Sequence, residues 1–155
     1  MFYTTFTTSL SPMTLVGDTE GLTRLHFGAA SLSDGSHRND AFFAEARQQI
    51  EAYLAGERQT FNLALNLAGT DFQRRVWREL QKIPYGETRT YGEIAAAIGS
   101  PKAARGVGMA NNRNPLPLLV PCHRVIGADG SLTGFAAGLA IKEKLLRLER
   151  GIAIS

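Results

Sequence analysis

The residues with the clearest chemical potential stand in one hexapeptide, Pro121-Cys122-His123-Arg124-Val125-Ile126. Cys122 is the only cysteine among 155 residues, and a histidine follows it directly. A lone thiol beside an imidazole is a candidate nucleophile with its base. The segment before it, Leu116 to Val120, is almost wholly apolar. It reads as a buried strand that delivers the thiol to the edge of a core. The competing reading is a small buried hydrophobe, the usual fate of a single cysteine.

Adjacent side chains diverge on a helix or a strand, so Cys122 and His123 are not expected to share a tight direct hydrogen bond. A bridging water closes the gap, and the second ring nitrogen of His123 then needs an orienting acceptor. Glu149 is the candidate. It lies at the edge of the Ile141, Leu145, Leu148 stripe of a final helix over about 139–150. A carboxylate beside a buried stripe needs a partner. The alternative is a surface acid paired with a nearby Lys or Arg. A Cys–water–His–Glu relay is expected to lower the thiol pKa and supply thiolate.

The elements before the cysteine must position it. Residues 1–27 alternate apolar positions with Thr and Ser and carry turn signals at Ser11-Pro12 and Gly17-Asp18, which predicts strands. Residues 28–40 read as a loop. Phe42 to Leu54 reads as an amphipathic helix with Phe42, Ala46, Ile50 and Leu54 on one stripe. Residues 61–67 read as a strand or a linker, and a boundary is placed near Gly69, dividing the chain into 1–68 and 69–155. The second part is mostly helical. Thr70-Asp71 caps a helix over 72–83. Thr90 and Glu93 form a capping box for a helix over 91–98, which Gly99 stops. Ser100 then caps a further helix, with Pro101 at its first position, running to about Asn111.

Two short helices joined by little more than Gly99-Ser100 match a helix-turn-helix, although an ordinary helical corner has the same outline. The second of them is rich in small residues (Ala103, Ala104, Gly106, Gly108, Ala110) and carries Lys102 and Arg105. That composition suits close approach to a groove lined by phosphate and sugar, and it also suits tight helix packing. Charge alone reads as chance surface composition and bears on the choice only when joined to such a docking element. Residues 1–66 hold four arginines, no lysine and seven acids, a net of −3; residues 67–155 hold thirteen Lys or Arg and seven acids, a net of +6. A basic half suggests a polyanionic partner.

One cysteine excludes an intramolecular disulfide and any zinc site built from several thiolates, and it fits a reducing compartment. No apolar run is long enough to cross a bilayer. A cytoplasmic protein without a membrane partner is the expectation.

These residues resemble the O6-alkylguanine-DNA alkyltransferase family, also called methylated-DNA–protein-cysteine methyltransferases. The resemblance runs in order through Gly69-Thr70-Asp71-Phe72-Gln73, Val76-Trp77, Ile83-Pro84-Tyr85-Gly86, the cysteine hexapeptide, Gly134-Phe135, Gly138-Leu139, Lys142, Leu145-Leu146 and Glu149. It implies an α+β protein, with a small RNase H-like N-terminal α/β domain packed on a mostly helical C-terminal domain that contains the helix-turn-helix. It further implies that Cys122 takes the alkyl group irreversibly from O6-alkylguanine, with O4-alkylthymine as a second substrate, after the nucleotide is flipped. His123 and Glu149 would activate the thiol, and Asn114 would brace the turn carrying it. Tyr91 would act near the guanine and its 3′ phosphate. Arg105 would fill the gap left by the flipped nucleotide, beside Lys102 and Ala104 on the minor-groove face. Val125, Gly134, Phe135 and Ala136 would line the base pocket. Phe135 stands where many relatives have tyrosine, and Ala136 where some have serine. No metal or cofactor is implied, and the expected state is a monomer on double-stranded DNA.

Two other classes stay in view. A lesion-binding protein that only flags damage carries tryptophan in place of the nucleophile, against which Cys122 argues. A cysteine hydrolase usually brings its histidine from a distant segment, unlike His123.

Overall fold

A computed structural model of the chain describes residues 1–29, 35–132 and 138–151. Three strands open it: β1 (Phe2–Thr7), β2 (Pro12–Asp18) and β3 (Gly21–Phe27). They form an antiparallel meander, and a two-residue strand β4 (His37–Arg38) adds to β1 in parallel, giving the order β3-β2-β1-β4. In β1 only Thr4 and Phe6 are fully buried, the alternation of a strand with one solvated face. In β2, Met13 to Gly17 are all buried, with β3 paired on one side and β1 on the other.

Helix α1 (Ala44–Leu54) contributes Ala46, Ile50, Tyr53 and Leu54 to a core shared with Phe6, Leu15 and Leu25. The expected stripe is wrong at its first member. A single 3-10 turn, Ala41–Phe43, precedes α1. Each residue of such a turn advances the chain further round the axis than an α-helical residue does, so the stripe cannot be run backward through it. Phe43 is therefore the buried ring, and Phe42 lies outside against Phe2.

Residues 61–67 behave as a linker tied to β3 by one bridge between Leu22 and Leu65, with the Leu22 N–H donating to Ala64 O at 2.9 Å. Gly21, at φ +145°, permits this approach, since a Cβ there would lie 2.9 Å from the Ala64 oxygen.

Helix α2 (Asp71–Leu80) starts at a full capping box: Thr70 accepts from the Gln73 N–H, and the Gln73 side chain accepts from the Thr70 N–H. It ends three residues before the expected Ile83, in a turn closed by the Ile83 N–H on Leu80 O. A short strand β5 (Arg89–Thr90) leads into α3 (Tyr91–Ala97), whose Thr90–Glu93 box forms as expected. Gly99, at φ +79°, ends that helical turn. Helix α4 spans Ala104–Asn112 and packs on α2 and α3. It begins later than the sequence predicts. The Ser100 carbonyl, rather than its hydroxyl, takes the Ala103 N–H at 2.8 Å, so Ser100 to Lys102 form the turn and α4 has no side-chain cap.

Leu116 to Val120 is buried as expected but is not a strand. Prolines 115, 117 and 121 supply no N–H, so a ladder cannot form. The segment closes on itself through Val120 N–H to Leu116 O at 2.8 Å, with Leu118 at φ +78°. A 3-10 turn over Cys122–Arg124 follows, then β6 (Val125–Ile126), parallel to β5, and finally α5 (Leu139–Glu149). Among the described residues no helix is long and apolar enough to cross a membrane.

Candidate active site

Cys122 opens the 3-10 turn with its thiol 3% exposed. Two asparagines hold the backbone around it. Asn114 Nδ2 donates to Val120 O at 2.8 Å while its Oδ1 accepts from the Leu116 N–H at 2.9 Å, so one side chain clamps both ends of the preceding turn. Asn111, buried on α4, donates to the Cys122 carbonyl at 3.4 Å. The helix carrying Arg105 is thereby attached to the residue carrying the thiol.

His123 is fully buried, and its Nε2 lies 2.7 Å from Glu149 Oε2. A carboxylate only accepts, which assigns the imidazole proton to Nε2 and leaves Nδ1 as a lone-pair acceptor. Among the described residues Nδ1 has no hydrogen-bond partner, although it is buried. The thiol and the imidazole therefore do not bond directly, as expected for neighbours on a tight turn, and the free nitrogen is the one that can take a proton from the cysteine side.

Glu149 is the hub of the site. Its Oε2 accepts from His123, from Arg124 Nη2 at 2.9 Å and from the Tyr53 hydroxyl; its Oε1 accepts from Arg124 Nε at 2.8 Å and from the Gly86 N–H at 3.3 Å. Arg124 donates its remaining Nη1 to Ile83 O at 2.8 Å and lies over the Tyr85 ring. Burial alone would raise the Glu149 pKa, but hydrogen bonds from His123 and Arg124 outweigh it and hold the carboxyl well below its ordinary range. Burial dominates at His123 and keeps its pKa below the usual value despite Glu149, so the resting pair is a neutral imidazole on a carboxylate.

The thiol departs from expectation. The relay was expected to lower its pKa, yet burial pushes it up to about 11, with a hydrogen bond from Asn114 and the charge of Lys142 offsetting only part. The resting sulfur is a thiol. Lys142 is itself fully buried, donates to the Val125 carbonyl, and is lowered to about 8 by burial.

The remaining expected residues divide in two. Tyr91 is half-buried at the start of α3 and faces Gly108 of α4, where a Cβ would sit 3.8 Å from its ring. Arg105 is exposed on α4, Lys102 is exposed on the turn rather than on the helix, and Ala104 is half-buried. Val125 is fully buried. Gly134, Phe135 and Ala136 lie outside the described residues. Among the described residues no group of three or more His, Cys, Asp or Glu could hold a metal ion.

Sequence reasoning missed Arg124, Tyr53 and Asn111. Arg124 sits within the quoted hexapeptide, and an arginine two residues after a core cysteine signals a buried cation in need of an acid. Tyr53 carries no local signal, because its partner is 96 residues away.

Comparison with known proteins shows the family. Residues 71–151 match the family model of the 6-O-methylguanine DNA methyltransferase DNA binding domain, and residues 1–67 match the model of its ribonuclease-like domain. The chain is 54% identical over 153 residues to the methylated-DNA–protein-cysteine methyltransferase of Methanosarcina acetivorans, covering 96% of this chain and 98% of that one. It is 46% identical to the constitutive enzyme of that name from Bacillus subtilis, over 96% of this chain and 95% of the other. The fold superimposes on the crystal structure of Mycobacterium tuberculosis OGT in complex with DNA with a TM-score of 0.92, at 47% identity, covering 99% of this chain and 96% of that one. The chain belongs to the methylated-DNA–protein-cysteine methyltransferase family.

Proposed function

We propose that this chain repairs O6-alkylguanine in double-stranded DNA by direct reversal, moving the alkyl group to its own Cys122 once per molecule, with O4-alkylthymine as a second substrate. One observation carries the assignment of roles: a buried thiol beside an imidazole whose Nε2 is committed to Glu149 and whose Nδ1 is free.

Guanine O6 is stacked inside the duplex, so the nucleotide must be flipped, at a cost of a few kcal/mol. Helix α4 approaches the minor groove, and Arg105 occupies the space the nucleotide leaves, with Lys102, Ala104 and Tyr91 along the same face. The Val125 backbone bounds the base pocket. The thiol proton then passes through a water to His123 Nδ1. The imidazolium is stabilised by Glu149, and Arg124 keeps that carboxylate charged and in place. Sulfur attacks the alkyl carbon, an S–C bond forms, and the C–O6 bond breaks with its electron pair going to the guanine oxygen. Tyr91 helps supply the proton that neutralises the leaving base; the phenol regains its proton from solvent while His123 releases the thiol proton, so no net proton is gained or lost. Thiol plus alkylguanine becomes thioether plus guanine, a balance that needs no cofactor. A thioether is not hydrolysed under these conditions, so the protein acts once.

In this reading residues 1–68 form the supporting domain, residues 69–155 the DNA-binding and acceptor domain, and the protein works as a cytoplasmic monomer. Intact-protein mass spectrometry after incubation with an O6-methylguanine duplex tests it. The expected result is a stoichiometric gain of one methyl group, mapped to Cys122 and absent in Cys122→Ala, which still binds DNA. Selective lesion binding without any mass gain would overturn the assignment.

A further inference from the structure

The site's carboxylate is held from both halves of the chain. Tyr53 lies in the last turn of α1, is fully buried, and donates its hydroxyl to Glu149 Oε2, the same oxygen that His123 Nε2 uses. Its ring is fixed by a tilted contact with Phe61 (5.2 Å between centroids) and an edge contact with Tyr85 (5.9 Å, 83°). The hydroxyl therefore cannot swing away without disturbing two other rings. We propose that Tyr53 is a positioning residue for thiol activation, supplied by the N-terminal half: its hydroxyl shares Glu149 Oε2 with His123 and so sets how strongly the carboxylate pulls on the imidazole.

The physical argument is competition for one oxygen. Oε2 has a limited store of electron density, and each donor weakens its hold on the others. Tyr53 is a permanent donor, since burial and the neighbouring Glu149 push its own ionisation far above the ordinary range. Arg124 Nη2 also binds Oε2, while Arg124 Nε and the Gly86 N–H bind Oε1. The other groups bearing on the pair are Tyr85, whose pKa is raised by burial and by Glu149, and the Lys142 ammonium, which opposes a charge on His123. Among these, Tyr53 is the neutral one that shares Oε2, so its removal changes the His123–Glu149 bond without altering the formal charge of the site. Without the phenol, Oε2 holds the imidazolium more tightly, and His123 becomes more basic. An imidazole that keeps a proton to higher pH is unable to take one from the thiol there. The acid limb of the transfer rate then moves to higher pH.

The inference rests on the alkyl-transfer reading. The test pairs Tyr53→Phe with replacement of Tyr53 by 3-fluorotyrosine, whose phenol is a stronger donor of nearly the same size. Two quantities are read: the pH profile of single-turnover methyl transfer from an O6-methylguanine duplex, and the His123 Nε2–H proton resonance in labelled protein. In Tyr53→Phe the acid limb should rise by about half to one pH unit, a modest hydrogen-bond effect on a pKa, and the resonance should move downfield. In the fluorotyrosine protein both should move the opposite way. An unmoved limb and an unmoved resonance in the fluorotyrosine protein would overturn the proposal, including where Tyr53→Phe does not fold. Absence of any methyl transfer by the unmodified protein would instead sink the functional reading, while the resonance test of Tyr53 would still stand.

Discussion

Removing both partners of the Arg124–Glu149 pair should cost less than the sum of removing each alone. Arg124 places two nitrogens on the Glu149 carboxylate, at 2.8 and 2.9 Å, and the side chains are 9% and 1% exposed. Breaking a buried pair by deleting one member leaves an uncompensated charge and typically costs about 3–5 kcal/mol. That is a large share of the roughly 5–15 kcal/mol by which a domain is stable. At ~2–4 °C per kcal/mol for a chain of this size, Arg124→Met and Glu149→Leu should each lower Tm by on the order of 6–20 °C. The double variant Arg124→Met/Glu149→Leu removes both charges and should lose less than the sum. It still leaves Ile83 O, the His123 Nε2–H and the Tyr53 hydroxyl without their partners, each costing about 1–3 kcal/mol. Urea unfolding of the four proteins at pH 7 gives the coupling directly. Acid titration of the same proteins adds a sign test. His123 and Glu149 both have folded pKa values below their ordinary 6.5 and 4.5, so each contributes stability that is present above those values and lost as pH falls. The intact protein should lose stability first below about pH 6.5 and again below about pH 4.5, and the second loss should be smaller in Glu149→Leu, where, among the described residues, only Asp40 and Asp129 keep lowered carboxyl pKa values. Strict additivity of the two single variants would refute the buried-pair argument.

Two further outcomes follow from the site. Because burial holds the Cys122 thiol near pKa 11, iodoacetamide labelling of the free protein should be slow at pH 7 and rise about tenfold per pH unit up to that value, while labelling that is already fast and flat at pH 7 would show a resting thiolate. Arg105→Ala should slow repair of duplex O6-methylguanine at least tenfold, as expected for loss of an inserted side chain, and barely change reaction with O6-benzylguanine as free base; single-turnover rates on the two substrates decide it, and equal losses would remove Arg105 from the flipping step.

What the sequence makes legible here is local. The Thr90–Glu93 box and Gly99 each act within a turn, and each forms as read. The pairing of His123 with Glu149 could be anticipated because an imidazole beside a candidate nucleophile needs an acceptor, and Glu149, at the edge of the last helix's buried stripe, was the best candidate. The errors share a cause as well. Apolar character predicted the burial of Leu116 to Val120 but not its path, since prolines forbid the ladder that the strand reading assumed. Phe42 and Ser100 failed because a 3-10 turn and a backbone-closed turn shift the phase of the helix beside them. Tyr53 and Arg124 acquire their roles only when α1 and the 3-10 turn meet the end of α5, which no window of sequence contains.

On the function proposed above, the protein is consumed by its own reaction once the flipped base arrives, which gives it reason to keep its nucleophile quiet. With a pKa near 11, roughly one thiol in ten thousand is ionised at pH 7, and His123, with a pKa under 6.5, is a weak base for it in the free protein. Stray electrophiles therefore meet a buried thiol and not a thiolate. The relay is complete on one side, where Glu149 already holds five hydrogen bonds. It is open on the other, at His123 Nδ1. The closing of that side belongs to the flipped base. Its arrival excludes bulk water, aligns the alkyl carbon with sulfur, and places a leaving group that draws charge away as the thiolate forms. Activation and recognition are then one event. That accounts for a nucleophile fastened through Asn111 to the helix proposed to meet the DNA, and for an acid fastened through Tyr53 to the half that does not.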